Sequence, residues 1–251
     1  VARCGGVIRV DDVHLSFGDK RVLDGVSLSV PEGCIYALIG PGAAGKSVLL
    51  KTIAGLLTPS RGHVHLFGHD LHAISERERM DVRRDVGMLF QNYALFDYLT
   101  VGENIAFPLR RLFDLPETEI TARVAERLQR MSLPGFEGRL PGGLSGGQKK
   151  RVGVARATVS KPKLILYDEP TAGLDPVTSQ RIYDLIREEQ QKLGTTCVVI
   201  SSDVAGLFTI CDRVAMLHHG RIVFEGTRDE AHASAIPVVK QFVHGLVDGP
   251  L

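Results

Sequence analysis

The sequence predicts an α/β fold in which a parallel β-sheet is flanked by helices, with an N-terminal antiparallel β layer and an inserted helical subdomain. Three observations carry this expectation. A glycine-rich stretch, Gly40-Pro41-Gly42-Ala43-Ala44-Gly45-Lys46-Ser47, matches the phosphate-cradling pattern GxxxxGK[ST] and stands between a run of strand length and a helical run. Short apolar runs then alternate with helical periodicity from Leu164 to Ile200, as parallel strands joined by helices require. Finally, Val7 to Phe17 alternates apolar and polar residues, the mark of a strand with one buried face.

Taken in order, the Val7 to Phe17 strand is followed by a Gly18-Asp19 turn and a second strand-like segment from Arg21 to Val30, which together form the antiparallel layer. Ile35 to Ile39 is the apolar strand before the phosphate pattern. Val48, Leu49, Leu50, Ile53, Leu56 and Leu57 predict a mostly buried helix that stops before Pro59. From Asn92 to Ala157 the chain becomes mostly helical, with Ile120, Val124 and Leu128 in one stripe and Met131 beside it; this is the predicted inserted subdomain. Leu164 to Tyr167 is a strand, Thr178 to Leu193 a helix with Ile182, Leu185, Ile186 and Leu193 inward, and Cys197 to Ile200 a further strand. His219-Gly220 joins Val214 to Leu217 with Ile222 to Phe224 as a hairpin, and residues 237–251 form a C-terminal extension of a single domain covering residues 1–251.

Bulk composition narrows the function. With 44% hydrophobic and 24% charged residues the chain can bury a sizeable core, and a net charge of +1 gives no electrostatic reason to expect nucleic acid as a partner. The Lys149-Lys150-Arg151 run reads as the solvated face of a helix. Cys4, Cys34, Cys197 and Cys211 lack CxxC spacing, which predicts free thiols in a reducing cytoplasm without a metal cluster. No apolar stretch reaches the ~18 to 20 residues needed to span a bilayer, and no signal-peptide core is seen, so a membrane role would come through a partner.

The chemistry follows from the glycine pattern. Gly40, Gly42 and Gly45 let backbone N–H groups turn toward phosphate oxygens, the helix N-terminus beginning near Ser47 and Val48 adds a favourable dipole, and Lys46 brings a mobile charge. This predicts a phosphate-loop (P-loop) NTPase core that binds a nucleoside triphosphate, with Mg2+ on Ser47. Leu164 to Tyr167 ends in Asp168 and Glu169, at the carboxyl end of a strand where ligands bind in such sheets. Asp168 is the second predicted Mg2+ anchor, and Glu169 is placed to orient or deprotonate an attacking water. Leu144-Ser145-Gly146-Gly147-Gln148 opens a helix with a capping serine and two glycines whose N–H groups can face an anion.

These segments, in this order, resemble the ATP-binding-cassette family over nearly the whole chain. The resemblance implies that two copies pack head to tail, each ATP lying between the Lys46 loop of one and the Ser145, Gly146, Gly147 and Gln148 signature of the other. It implies that Gln91 touches the metal and senses a membrane permease, that Leu174-Asp175 crosses the dimer interface, and that Phe17 stacks on adenine. A core role for Phe17 at a strand end is the alternative. The stretch from Phe90 to Val101, with Glu103-Asn104 and Ala106 to Leu109, further resembles the Mla-type subgroup. That implies lipid transport, an MCE-domain protein and a small STAS-domain protein as partners, a peripheral place on the cytoplasmic face of the inner membrane, and a tail reaching the neighbouring ATPase subunit. Tyr93, Leu95, Phe96, Tyr98 and Leu99 are too apolar for an idle loop and need burial, in the subdomain or against a partner helix. One position departs from the pattern: Ser202 stands where the family carries a switch histidine. Either Glu169 suffices as the main catalytic group with Ser202 beside it, or the hydrolytic cycle is slowed, in which case the chain is a regulatory ATP-dependent dimerisation module. An ATPase for another cargo is the remaining alternative.

Overall fold

The computed structural model describes residues 6–251; Cys4 lies outside the described residues. Strand β1 (Ile8–Phe17) pairs antiparallel with β2 (Lys20–Val30), Ile8 opposite Val30 and Phe17 opposite Lys20. After β3 (Ile35–Ile39) and helix α1 (Lys46–Ile53), β4 (Arg61–Leu66) and β5 (His69–Asp70) complete an antiparallel sheet in the order β2-β1-β4-β5. Helix α2 (Glu76–Arg84) leads to β6 (Val86–Leu89), followed by α3 (Val101–Leu112), α4 (Glu117–Arg130) and α5 (Gly146–Thr158). The chain then alternates through β7 (Leu164–Asp168), α6 (Pro176–Leu193), β8 (Thr196–Ile200), α7 (Val204–Phe208) and β9 (Arg213–His218). It ends with β10 (Arg221–Thr227), α8 (Arg228–His232) and α9 (Pro237–His244).

The second sheet has the order β10-β9-β3-β8-β7-β6, with β10 antiparallel to β9 and the other pairings parallel. Its central strands β3, β7 and β8 read as nearly continuous apolar runs because both of their faces are covered. Ile35, Ala37 and Ile39 of β3 point into a core shared with α3 to α6, whereas Tyr36 and Leu38 point into a core shared with the antiparallel sheet and α1. The same alternation sends Ile165 and Tyr167 one way and Leu164 and Leu166 the other. Strands β3, β6, β7, β8 and β9 run in one direction and in close register, Leu38 and Asp168 both beside Ile200. The loops after β3, β6, β7 and β8 therefore emerge at one edge. The β9–β10 hairpin forms as predicted, with His219 and Gly220 both at positive φ (47° and 72°) as a two-residue turn between twisted strands requires.

Several expectations need correction. Helix α1 ends at Ile53 and Gly55 (φ 68°) turns the chain, so Leu56 lies beyond the helix and is half exposed. Helices α3 and α4 and the whole of α5 share one core with the parallel sheet, because Leu89, Val152, Val154 and Ile165 belong to the same cluster as Ile105, Val124 and Leu128. Lys150 is not on a solvated face: it is fully buried, and Arg151 beside it donates to the carbonyl of Met131.

The tail also differs from expectation. Val239 is fully buried and Phe242 and Val243 pack against the chain's own core rather than awaiting a neighbour, while Leu246 remains about half exposed. The buried Gln241 amide holds the final turn, donating to Val247 O (3.3 Å) and accepting from Leu251 N (2.8 Å). Truncation before Pro237 should therefore destabilise the isolated chain. A fully buried valine alone is worth ~1.5 to 3 kcal/mol, and each kcal/mol is ~2 to 4 °C in a domain of this size. Thermal unfolding of the truncated chain should show a loss of several degrees; an unchanged melting temperature would assign α9 to contacts outside this domain.

Candidate functional site

The loop between β3 and α1 owes its path to its glycines. Gly40 adopts φ 144°, and a Cβ there would lie 2.1 Å from Leu217 O; Gly45 adopts φ 103° against Val22. Gly42 has open space around its Cα, leaving the backbone accessible from the cavity side. Lys46 Nζ folds back over the loop, donating to the carbonyls of Gly40 (2.7 Å) and Pro41 (2.8 Å), and burial pushes its pKa below the usual lysine range. Ala44 N closes the turn onto Pro41 O.

The edge of the parallel sheet brings the acids to this loop. Ser47 Oγ donates to Asp168 Oδ1 at 2.9 Å. Burial raises the Asp168 pKa, a shift opposed by the Ser47 hydrogen bond and by Lys51, Lys46 and Lys150. Glu169 leaves β7 in the left-handed region (φ 51°), its N–H donating to Ile200 O on the neighbouring strand. That turn swings its carboxylate toward the cavity, where Oε2 accepts from both the N–H (3.0 Å) and the hydroxyl (3.1 Å) of Ser202. Ser202 thus contacts the acid expected to activate water, from the loop after β8.

A cavity of about 460 Å³ is lined by Phe17, Gly42 to Val48, Gln91 and Glu169, whereas Asp168 and Ser202 meet its lining through Ser47 and Glu169. Phe17 is 53% exposed at the end of β1, which removes the alternative of a core phenylalanine. The signature lies elsewhere. Ser145 caps α5, its hydroxyl accepting from Gln148 N while Gln148 Oε1 accepts from Ser145 N, so Gln148 serves as the reciprocal cap. Ser145, Gly146, Gly147, Leu174 and Asp175 line a second cavity of about 690 Å³, with Asp175 capping α6 through Thr178. Within one chain the phosphate loop and the signature do not meet.

The loop after β6 connects the two regions. Tyr93 and Ala94 both take positive φ (64° and 48°), and Arg156 donates to both of their carbonyls, at 2.6 and 2.7 Å. The buried Asn104 side chain accepts from Phe96 N and donates to the carbonyls of Phe96, Leu99 and Thr100. Leu95 packs on the core, while Phe96 meets Phe107 at 4.8 Å and borders an apolar groove of about 330 Å³ with Phe90, Pro108 and Leu112. Tyr98 is 77% exposed. The sequence placed Lys150 on a solvated face and gave Arg156 and Asn104 no role: no periodic or spacing signal distinguishes a buried cation or amide on a helix from a solvated one.

The ABC transporter family model matches residues 23–172, spanning the phosphate loop, the signature and the paired acids. The chain belongs to the ABC transporter family. This ABC chain is 44% identical to the methionine import ATP-binding protein MetN of Caulobacter vibrioides, over 89% of its own length and 68% of that protein. It is 37% identical to the intermembrane phospholipid transport system ATP-binding protein MlaF of Escherichia coli, over 98% of its own length and 91% of that protein. The dimeric structure of the ATP-binding cassette MJ0796 in a post-hydrolysis state, bound to ADP and Pi, superposes with a TM-score of 0.81 at 30% identity, covering 88% of the ABC chain and 98% of the other. The ABC chain is accordingly an ATP-binding, ATP-hydrolysing transporter subunit. Among its described residues no helix is long and apolar enough to cross a membrane.

Proposed function

We propose that this chain powers the movement of a phospholipid between membranes, as a homodimer docked peripherally on the cytoplasmic side of a permease. Lys46 and the backbone of residues 40–48 hold the phosphates, Phe17 stacks on the base, and Glu169 activates the attacking water. The signature of a second copy, Ser145 to Gln148, closes over the nucleotide, with Asp175 and Leu174 at the interface; the separation of the two cavities within one chain supports this division of labour. The exposed Tyr98 and the groove beside Phe96 suit an apolar helix of the permease.

The residues also fit Mg2+. Ser47 Oγ, Asp168 Oδ1 and the Gln91 side chain are hard oxygen donors, the first two already 2.9 Å apart. An octahedral Mg2+ takes a few such protein oxygens and shares its remaining positions with phosphates and water. When bound, the ion neutralises charge on the terminal phosphates; Ser47 and Asp168 would hold it, and Gln91 would report its presence to the docking groove.

What supports the phospholipid reading is the stretch from Phe90 to Val101 with Glu103-Asn104 and Ala106 to Leu109, which resembles the Mla-type subgroup, together with the 37% identity to MlaF over 98% of this chain. The test is purification of the tagged chain from membranes in detergent. A permease and an MCE-domain protein, with or without a STAS-domain protein, should co-purify, and ATP turnover should respond to phospholipid. Recovery with a methionine-binding partner instead would replace the cargo and leave the ATPase assignment standing.

A further inference from the structure

A lysine with no exposed surface is costly, because the ammonium loses its water and needs internal acceptors in its place. Lys150 of α5 is such a residue, with a relative exposure of 0%. Its Nζ donates to the carbonyl of Glu169 at 2.8 Å and to the carbonyl of Gln91 at 3.2 Å, and lies 4.7 Å from the centre of the Tyr93 ring. Those contacts come from two different loops, one after β7 and one after β6. Both loops present a side chain to the nucleotide cavity, and both contain residues at positive φ without being glycine: Glu169, and Tyr93 with Ala94. Such backbones persist only where the surroundings hold them. Burial lowers the Lys150 pKa, while Glu169 and Asp168 draw it upward.

We infer that Lys150 is a positioning residue for ATP hydrolysis, its ammonium tying the backbones of Gln91 and Glu169 into one frame so that both side chains keep their aim at the nucleotide. This rests on the assignment of Glu169 to water activation above. The carboxylate is held on its other side by Ser202, so Lys150 and Ser202 fix the residue from backbone and side chain respectively. An apolar residue of the same length would fill the space, leaving the Gln91 carbonyl without that donor and the Glu169 carbonyl with only the longer hydrogen bond from Ala172 N (3.3 Å). The cation also makes the loop that borders the docking groove and the loop that bears the catalytic acid parts of one unit, so displacement of the former is transmitted to the latter.

The test compares Lys150→Met and Lys150→Arg with the wild type and Glu169→Gln in the transporter purified from membranes. In Lys150→Met, KM for ATP and the affinity for a fluorescent ATP analogue should change less than about twofold, while kcat falls on the order of 10- to 100-fold, as expected when a reacting group is displaced by about 1 Å. Lys150→Arg, which keeps charge and donors, should recover most of kcat. A folded Lys150→Met with wild-type kcat, or a loss of ATP affinity as large as the loss of kcat, overturns the inference. If Lys150→Met does not fold, Lys150→Gln, which keeps an NH2 donor group on a shorter side chain without the charge, decides by the same split between kcat and KM. Wild-type turnover in Glu169→Gln would instead overturn the parent assignment of the catalytic acid.

Discussion

Replacement of Glu169 by Gln should reduce ATP turnover by about 10² to 10⁴-fold, the usual contribution of a positioned general base, while ATP remains bound. The substitution keeps the shape of the side chain, and the amide oxygen can still accept from the N–H or hydroxyl of Ser202 that now meet Oε2. Only the basicity is lost. Removing a negative charge beside the phosphate cavity also lowers repulsion toward a nucleotide, so affinity should be equal or higher. With hydrolysis blocked, two copies should stay closed around ATP, and size-exclusion chromatography with ATP should shift the variant toward a dimer more than the wild type. Turnover at the wild-type rate would remove Glu169 from this role, and Asp168, whose carboxylate is already engaged by Ser47, would not replace it.

What the sequence disclosed depended on how local the determining physics is. The phosphate loop was legible because each of its residues answers to backbone geometry within a few positions: Gly40 and Gly45 sit at φ values that side chains avoid, and the flanking apolar runs identify the strand and helix. The strands β3, β7 and β8 were legible as unbroken apolar runs because both of their faces are buried. Helix α2 was not, since only Val82 is buried and the helix is held by a Ser75–Glu78 capping box and by Glu76 paired with Arg79 and Arg83. Lys150 was misread for a similar reason. Its position in a run of cations says nothing of the two carbonyls, 59 and 19 residues away, and the tyrosine ring that meet it from other loops. The tail shows a third limit: Phe242 and Val243 demand burial, but an apolar pattern cannot state whether the same chain or another provides it.

Replacement of Lys46 by Ala should weaken ATP binding strongly while leaving the fold intact. The ammonium is the one mobile cation of the loop, and its hydrogen bonds now go to the carbonyls of Gly40 and Pro41, from which it can swing to phosphate oxygens without rebuilding the backbone. A hydrogen bond to a charged group contributes ~1.5 to 3 kcal/mol, so its loss weakens ATP affinity by about 10- to 150-fold. Stability without nucleotide should change little, because the loop keeps its course through Gly40, Gly45 and the Ala44 to Pro41 hydrogen bond. Thermal unfolding separates the two effects in one experiment. A ligand that binds only the folded state at 100 times its Kd adds ~2.7 kcal/mol, which in a domain of this size is roughly 5 to 10 °C. Wild-type protein should show that rise with ATP and Mg2+, and Lys46→Ala should show a far smaller one from the same starting temperature. An equal rise in both would mean that the phosphates are held by the loop backbone alone, and a low starting temperature in the variant would mean that Lys46 stabilises the loop rather than the nucleotide.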